Sequence, residues 1–517
     1  MTTTRRAFLA CVGDAMLAAG IGPTLAGELA GARVLADEST PPRLSFGRHE
    51  RLAALMQETP PGAILPRLVA EWKAGSSPTD LLAAGALANA RSFGGQDYIG
   101  YHTFMALRPA GAMAEALPAE EAMLPVLKVL HRNATRMQAT GAAEHDAMHP
   151  LPAAPGPADA TSLHAAERAG DLPRAESLFA TMVGENSAAA YDALQALVDD
   201  EEDVHRVVLA WRAWDTLALT GPEHAHTLLR QSVRYCVDVE QRRAAAGYGV
   251  SPIRDLLPRL LDEHRLVDRA PGTKTADDAW IDAFSTLVFS SSRSEAAAAT
   301  AAALAEGTSV ASIGEALSLA ATKLVLFDPG REARNATPEK PAGCVHGDSI
   351  GVHASDAANA WRSIAAVCSP RSAIAGLIVA ASHTAGFGSR FPGRACDAGI
   401  DRERLLALSP DRLLTDLDAA IRAQDQALAA GIVAAYGTGS ADPRPLVETL
   451  LRHGLRADGA LHAEKYHTTA VAEFSRTRPA FRWLHLAALA RVVASESGFV
   501  SPESDAARDH LGLARWA

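Results

Sequence analysis

The chain has 517 residues, of which 48% are hydrophobic and 21% are charged, proportions that are ordinary for a globular protein. Its formal net charge is −11, so it lacks the basic surface that neutralises phosphates in nucleic-acid complexes. The composition predicts a soluble globular protein with enough apolar surface for a large core, and it excludes a nucleic-acid partner.

Residues 1–36 have the pattern of a twin-arginine signal peptide. Arg5 and Arg6 precede a short apolar stretch from Ala7 to about Gly22, and residues 34–36 (Val-Leu-Ala) offer a small-x-small cleavage site. The apolar stretch is too short for a transmembrane helix, and we expect no later segment to reach spanning length. We therefore predict that the twin-arginine export machinery carries the folded protein to the periplasm or outside the cell.

Residues 37–517 are predicted to form one large domain with an all-α fold. Apolar residues recur at helical spacing, as at Leu124, Leu127 and Leu130, while the strict alternation typical of strands is almost absent. Serine followed by proline marks three helix starts: Ser77-Pro78, Ser251-Pro252 and Ser409-Pro410. Breaker-rich stretches predict loops at 140–161, 328–343 and 386–400.

Several common catalytic signatures are missing from the sequence. There is no glycine-rich dinucleotide loop after a strand, no P-loop, no Gly-x-Ser-x-Gly and no His-Glu-x-x-His. The cysteines that follow the signal peptide include no Cys-x-x-Cys pair, so they leave open two disulfides or buried free thiols: Cys236, Cys344, Cys368 and Cys396. Chemistry must therefore come from other residue types.

Histidine is the strongest remaining candidate. A neutral imidazole can bind a metal or transfer a proton near neutral pH. Five of the eighteen histidines lie beside small or apolar residues at helical spacing, and we select them as candidate metal ligands: His102, His226, His346, His353 and His462. His346 and His353, seven residues apart, are expected on one face of the same helix.

Two Glu-x-x-His pairs suggest a rival site. Glu202/His205 and Glu464/His467 have the spacing found in carboxylate-bridged di-iron bundles. His462 and His467 differ by roughly 140° around a helix. We therefore expect burial of one face of this helix to decide between the two sites.

Four short segments occur in the same order as in a known family, over residues 91–497. They are Tyr101-His102 before an apolar helix, His226-Thr-Leu-Leu-Arg230, His353 with Arg362 nine residues on, and His462-Ala-Glu-Lys465. This arrangement resembles the questin oxidase-like family. The chain departs from the family pattern at Tyr101, Asp356 and Asn359.

The resemblance implies a helical oxidoreductase, a monooxygenase that performs Baeyer–Villiger-type oxidation of a bulky organic, possibly aromatic, substrate. It also implies dependence on NADPH, although the sequence contains no nicotinamide-binding motif. The histidines at 226, 353 and 462 would line the pocket for this small molecule. Positive charge for a phenolate or an oxyanion would come from Arg230, Arg362 and Lys465.

Export favours a cofactor loaded in the cytoplasm, so we expect a His-ligated metal such as iron rather than soluble NADPH. Two alternatives stay open. One is a di-iron or other metal-dependent oxygenase built on the Glu-x-x-His pairs. The other is a non-catalytic, exported helical binding protein with structural histidines.

Overall fold

The structure is a computed structural model that describes residues 42–142, 144–151, 156–391, 393–439, 441–459 and 461–516. The predicted signal peptide at 1–36 lies outside these residues. The all-α prediction is confirmed, because 70% of the chain is helical and no strand occurs in the described residues. Isolated β-bridges such as Gly272 with Ser309 are the only extended pairings recorded in that part of the chain.

Twelve helices precede residue 270 in the described chain. They are α1 (Glu50–Glu58), α2 (Pro61–Lys73), α3 (Pro78–Phe93), α4 (Tyr98–Ala116), α5 (Met123–Thr140), α6 (Ala160–Arg168), α7 (Leu172–Glu185), α8 (Ser187–Val198), α9 (Val204–Asp215), α10 (Leu217–Thr220), α11 (Ala225–Ala246) and α12 (Ile253–Glu263).

The second part continues in the same style. It comprises α13 (Asp278–Ser290), α14 (Arg293–Ala305), α15 (Val310–Phe327), α16 (Ile350–Ala365), α17 (Pro370–Thr384), α18 (Arg402–Leu406), α19 (Pro410–Arg422), α20 (Gln426–Tyr436), α21 (Arg444–Arg456), α22 (His462–Arg476), α23 (Trp483–Glu496) and α24 (Pro502–Leu511). The three predicted loops fall between helices, after α5, α15 and α17.

The predicted helix starts correspond to real caps. The Ser77 hydroxyl accepts a hydrogen bond from the Asp80 amide, and the Asp80 carboxylate accepts one from the Ser77 amide, so α3 begins with a capping box. Ser409 caps α19 by accepting a hydrogen bond from the Arg412 amide. Near residue 252 the helix begins one residue later than the pattern suggests, with Pro252 in the cap position of α12.

One helix corrects the expectation that no later segment could cross a membrane. In the described chain, α15 is long and apolar enough to do so by length and composition, with a mean hydropathy of 1.6 over 18 residues. It is 78% buried inside the protein, between α13, α16 and α23. Because a buried core helix passes the same test, its composition is weak evidence for a membrane span.

Four helices form a closed ring at the centre of the fold. α4 contacts α9, α9 contacts α16, α16 contacts α22, and α22 returns to α4. Pairs of side chains further along the helices show that they run in the same direction: Arg108 of α4 approaches Asp215 of α9, and Arg362 of α16 binds Glu473 of α22. The ring therefore brings four helix N-termini together.

A candidate four-histidine site

Each helix of the ring contributes one histidine to a single buried cluster, the four-histidine cluster: His102, His205, His353 and His462. Neighbouring ring centroids lie 4.9 Å apart for His102 and His205, and 6.1 Å for His205 and His353. The circuit closes with 5.2 Å from His353 to His462 and 5.5 Å from His462 to His102. The four histidines are far apart in the sequence, and the packing of the four helices brings them together.

Backbone carbonyls orient three of the imidazoles. The Nδ1 atom of His102 lies 2.6 Å from the Tyr98 carbonyl oxygen, and that of His353 lies 3.0 Å from the Ser349 oxygen. The Nδ1 atom of His462 lies 3.3 Å from the Gly459 oxygen. Because a carbonyl can only accept, Nδ1 carries the hydrogen in all three rings, and Nε2 of each neutral ring keeps its lone pair.

His205 is oriented by a carboxylate instead. Its Nδ1 atom is 3.3 Å from an oxygen of Asp203, the residue that caps α9 by accepting a hydrogen bond from the His205 amide. The second oxygen of Asp203 accepts a 2.8 Å hydrogen bond from the Tyr235 hydroxyl of α11. A carboxylate behind an imidazole fixes its orientation and raises its basicity as a ligand.

The Nε2 atoms of all four histidines are buried and have no hydrogen-bond partner within the described chain. Buried polar atoms are normally satisfied, so four orphaned atoms in one cluster call for an explanation. An imidazole nitrogen with a free lone pair can bind a metal ion or accept a hydrogen bond from a ligand. The cluster is thus equipped to bind something that the protein itself does not supply.

Burial keeps three of these imidazoles neutral, those of His102, His353 and His462. It lowers the pKa of His353 to about 4, with nearby His205 and Lys465 adding to the effect. The pKa values of His102 and His462 are also held well below the usual range, by burial first and by the Lys465 ammonium second. At neutral pH these three side chains are ligands or acceptors rather than proton donors.

Two tyrosines form an aromatic wall on one side of the cluster. The Tyr98 ring lies 4.4 Å from the His102 ring, and the Tyr101 ring stacks on the same imidazole at 4.9 Å. Both also contact His205. Tyr98 is 36% exposed, so this wall extends from the cluster to the protein surface.

Lys465 and Asp356 lie one helical turn further along the ring, on α22 and α16. Burial lowers the pKa of Lys465 to about 8, against the opposing attraction of Asp356. The Asp356 carboxylate accepts a 2.7 Å hydrogen bond from the Thr469 hydroxyl. The sequence-predicted lysine is therefore close enough to the cluster to lower the histidine pKa values.

The cluster is wider than a formed metal centre. Ligand atoms bound to one ion at about 2.0–2.2 Å lie at most about 4.4 Å apart. In the described chain, only His164, Glu167 and Asp200 offer three such atoms within 4.8 Å of one another. A single ion in the four-histidine cluster would therefore require the imidazoles to turn inwards.

That compact group around Asp200 is an ion-pair network. Arg168 donates hydrogen bonds of 2.6 and 2.7 Å to Asp200, and Arg206 donates one of 3.2 Å to Glu167. Both carboxylates of the group are thus already paired with arginines. We assign this group a structural role.

Not all the sequence-predicted ligands reach the cluster. His226 lies nine residues, about 14 Å, before Tyr235 on α11, which is the part of that helix that reaches the aromatic wall. Arg230 donates hydrogen bonds to Glu176 and to the His149 carbonyl. The similar-looking His226–Arg230 segment is therefore placed away from the four-histidine cluster.

His346 also lies outside the cluster, and it is not on a helix with His353. Ser349 caps α16, so His346 precedes the helix. Its Nδ1 atom is 3.2 Å from Asp348, and its Nε2 atom is 3.6 Å from Glu496. The shared-face prediction was wrong because α16 begins after Ser349, between the two histidines.

Arg362 is the third predicted residue that the ring keeps at a distance. It lies nine residues along α16 from His353 and binds Glu473 at 2.5 Å. Asn359, which departs from the family pattern, donates a hydrogen bond to the same carboxylate. These groups connect α16 and α22 towards the C-terminal ends of the two helices, away from the cluster.

The rival Glu-x-x-His site does not assemble. Glu202 binds Arg293 and the Ser382 hydroxyl, whereas Glu464 binds Lys128 at 2.7 Å. Both His462 and His467 are buried, because other helices surround α22. Burial of one face therefore does not discriminate between the sites as expected, and only the side of α22 with His462 meets the other three histidines.

Sequence reasoning missed His205 as a partner of the other histidines, together with Asp203 and Tyr235 behind it. The available signal was Asp203 two residues before His205, since aspartate is a preferred N-cap and places the histidine in the first turn. Tyr235 had no comparable signal. Its hydroxyl reaches Asp203 only through the packing of α11 against α9.

No family model matches the chain, and comparison with curated proteins and with solved structures found no match either.

Proposed function

We propose that this protein is a metal-dependent oxidoreductase that holds one ion, iron, between His102, His205, His353 and His462. The observation that carries the proposal is the set of four orphaned Nε2 atoms, one from each helix of a closed ring. Single orphaned imidazole nitrogens occur elsewhere in the described chain, as at His226 and His467, but only here do four of them belong to rings that contact one another in a closed circuit. In three of these rings Nδ1–H donates to a backbone carbonyl, so the free lone pair is on Nε2.

The donor set suits a transition metal. Imidazoles bind iron, zinc and copper well, and the carbonyl and carboxylate partners on Nδ1 are the usual outer support of such ligands. The low pKa values leave the lone pairs available at neutral pH. A bound iron would supply redox chemistry, which no side chain in the cluster provides.

The protein groups around the cluster define what could bind beside the ion. Tyr98 and Tyr101 offer flat apolar faces, and Lys465 offers a positive charge on the neighbouring turn. This combination suits a bulky aromatic substrate with an ionisable hydroxyl. The resemblance to the questin oxidase-like family supports the same substrate class.

A surface pocket lies close to the cluster and is a candidate route for the substrate. It has a volume of about 670 Å³ and is bounded by Glu202, Arg293 and Ser382 among others. Glu202 immediately precedes Asp203, and Ser382 precedes His383, a buried imidazole packed on Trp361. Two lining residues of the pocket are therefore chain neighbours of Asp203, which contacts His205, and of His383.

Metal content tests the proposal directly. The protein is purified with its export intact, and iron, zinc, copper and manganese are measured by mass spectrometry, with anaerobic addition of Fe(II) as a second arm. We expect close to one iron per chain. His205→Gln and His353→Gln should each reduce retained iron at least tenfold.

His226→Gln is the matched control. His226 is also largely buried, also has an orphaned Nε2 and also has a pKa lowered to about 4 by burial. His226 lies apart from the four-histidine cluster, so the His226→Gln protein should retain as much iron as the wild-type protein. Absence of iron after reconstitution, or equal loss in His226→Gln and His353→Gln, would overturn the metal proposal.

Oxygen consumption tests the oxidoreductase part. Iron-loaded protein is offered hydroxylated anthraquinones and simple naphthols, with and without NADPH, and products are identified by mass. We expect oxygen uptake that depends on substrate and is lost in His205→Gln. Stoichiometric iron without any turnover of these aromatics would reject the aromatic substrate class while keeping the metal site.

A further inference from the structure

Two arginines lie two helical turns beyond the four-histidine cluster. Arg108 follows His102 by six residues on α4, and Arg212 follows His205 by seven residues on α9. Since α4 and α9 run side by side in the same direction, both guanidinium groups lie about 10 Å along the ring from the cluster. Arg212 is buried, whereas the Arg108 side chain is 25% exposed.

Their pairing with protein groups is poor. Asp215 is the carboxylate next to both, at 3.7 Å from Nε of Arg108 and 3.6 Å from Nη1 of Arg212. Both distances exceed those of ordinary charge-assisted hydrogen bonds. Nε and Nη1 of Arg108 and Nε of Arg212 are buried and have no hydrogen-bond partner in the described chain.

Another buried arginine, Arg206, is better paired in this fold, although its Nε atom also has no hydrogen-bond partner in the described chain. Arg206, on the same helix as Arg212, donates to the Leu197 carbonyl at 2.7 Å and to Glu167 at 3.2 Å, and it also binds Glu240. Arg108 and Arg212, by contrast, have Asp215 as their only ion-pair partner in the described chain, and at a longer distance.

Charge at this level of the ring is also unbalanced. Arg108, Arg212 and Lys465 lie near the carboxylates of Asp215 and Asp356, whereas Glu464, which also acts on Lys465, is already paired with Lys128. One positive charge therefore has no counter-charge, and burial lowers the pKa of Arg212 even though Asp215 opposes this. Burying an uncompensated charge is costly, and a bound anion would remove that cost.

We propose that Arg108 and Arg212 form a binding site for a small oxyanion, a carboxylate or inorganic phosphate. Two guanidinium groups with free N–H donors suit the paired oxygens of such an anion. The site does not depend on a metal in the four-histidine cluster. Its occupant would lie within the same ring of helices, and its charge would be felt by Lys465.

Calorimetric titration with sodium phosphate at pH 7, and separately with sodium acetate, tests the site at constant ionic strength. We expect one site per chain for at least one of the two anions, and the arm that binds distinguishes phosphate from carboxylate. Arg108→Gln should weaken binding at least tenfold. Because Arg108 is partly exposed, this variant should fold, which the more deeply buried Arg212→Met need not do.

Two further variants make the result decisive. Asp215→Asn removes the competing carboxylate and should tighten anion binding several-fold, a change that loss of structure would not produce. Arg259→Gln alters an exposed arginine paired with Glu263 on its own helix and should leave binding unchanged. Failure of both anions to bind the wild-type protein, or equal binding by Arg108→Gln, overturns the proposal whether or not iron is present.

Discussion

The buried pair of Lys128 and Glu464 provides a quantitative test of how the core around the site is held. Both side chains are almost fully inaccessible, and Nζ of Lys128 lies 2.7 Å from the Glu464 carboxylate. The same ammonium donates hydrogen bonds to the Ala457 carbonyl at 2.8 Å and the Leu455 carbonyl at 3.1 Å. Next to the start of α22, one cation therefore donates two hydrogen bonds to carbonyls and forms an ion pair with a carboxylate.

Lys128→Met removes the cation and keeps most of the side-chain volume. The Glu464 carboxylate would then be buried without a partner, and breaking a buried pair in this way costs about 3–5 kcal/mol. Two carbonyls also lose their donor, so we expect a loss near the upper end of that range. Against a typical total stability of about 5–15 kcal/mol, this is a large fraction.

Urea unfolding at pH 7 measures the effect, with Glu464→Gln and the double variant completing a thermodynamic cycle. The two changes should be non-additive by at least about 2 kcal/mol, because each single variant leaves the other group unpaired. Lys274→Met, at an exposed lysine, should change the free energy of unfolding by less than about 0.5 kcal/mol. A loss below about 1 kcal/mol in Lys128→Met, or additive single effects, would refute the reasoning.

Three other variants test the site and its surroundings. Asp203→Asn removes the carboxylate behind His205, so retained iron in a chelator competition should fall by about 10–100-fold, with little change in thermal stability. Gly347→Ala would place a Cβ atom 2.5 Å from Cβ of His462, so it should lower the free energy of unfolding by about 1–3 kcal/mol and reduce iron retention. Gly454 lies inside a helix and has no atom within 4 Å of the position of an added Cβ. Gly454→Ala should therefore raise the free energy of unfolding by about 0.5–1 kcal/mol. Burial lowers the pKa of His485 to about 4, so this side chain binds a proton more weakly in the folded state than in the unfolded state. The wild-type protein should therefore lose stability as the pH falls from 6.5 to 4. In urea titrations at pH 4, His485→Gln should have lost about 3 kcal/mol less of its free energy of unfolding than the wild-type protein.

The fold class was predictable because helix periodicity and N-caps are local properties of the sequence. Ser77 and Ser409 cap helices as the pattern indicated, and the breaker-rich stretches fall between helices. The closed ring of α4, α9, α16 and α22 is a different matter. Parallel helices must be joined by long crossovers, and nothing in the period of apolar residues says which helices become neighbours.

The candidate cluster could be predicted only in part, because its members come from helices whose neighbours the sequence does not reveal. His102, His353, His462 and Lys465 come together, whereas His205 was assigned to a different set through its spacing from Glu202. The segment from His226 to Arg230 shows the opposite error. Its sequence resembles a motif of the predicted site, but Arg230 donates a hydrogen bond to Glu176 instead. Only the packing of α7 against α11 reveals this partner.

The charge around the four-histidine cluster bears on what else could bind there. Four helix N-termini meet at the cluster, and their partial positive charges favour an anion. Two nearby carboxylates are already neutralised, Asp97 by Arg136 and Asp348 by Arg331 and Lys340. Asp203 has no lysine or arginine partner in the described chain, and its contacts are with His205 and Tyr235. A divalent ion held by the four imidazoles beside this one carboxylate would keep an excess positive charge. An anionic ligand, such as the phenolate of a hydroxylated aromatic, would remove that excess, so the electrostatics of the cluster favours an ionised substrate beside the metal.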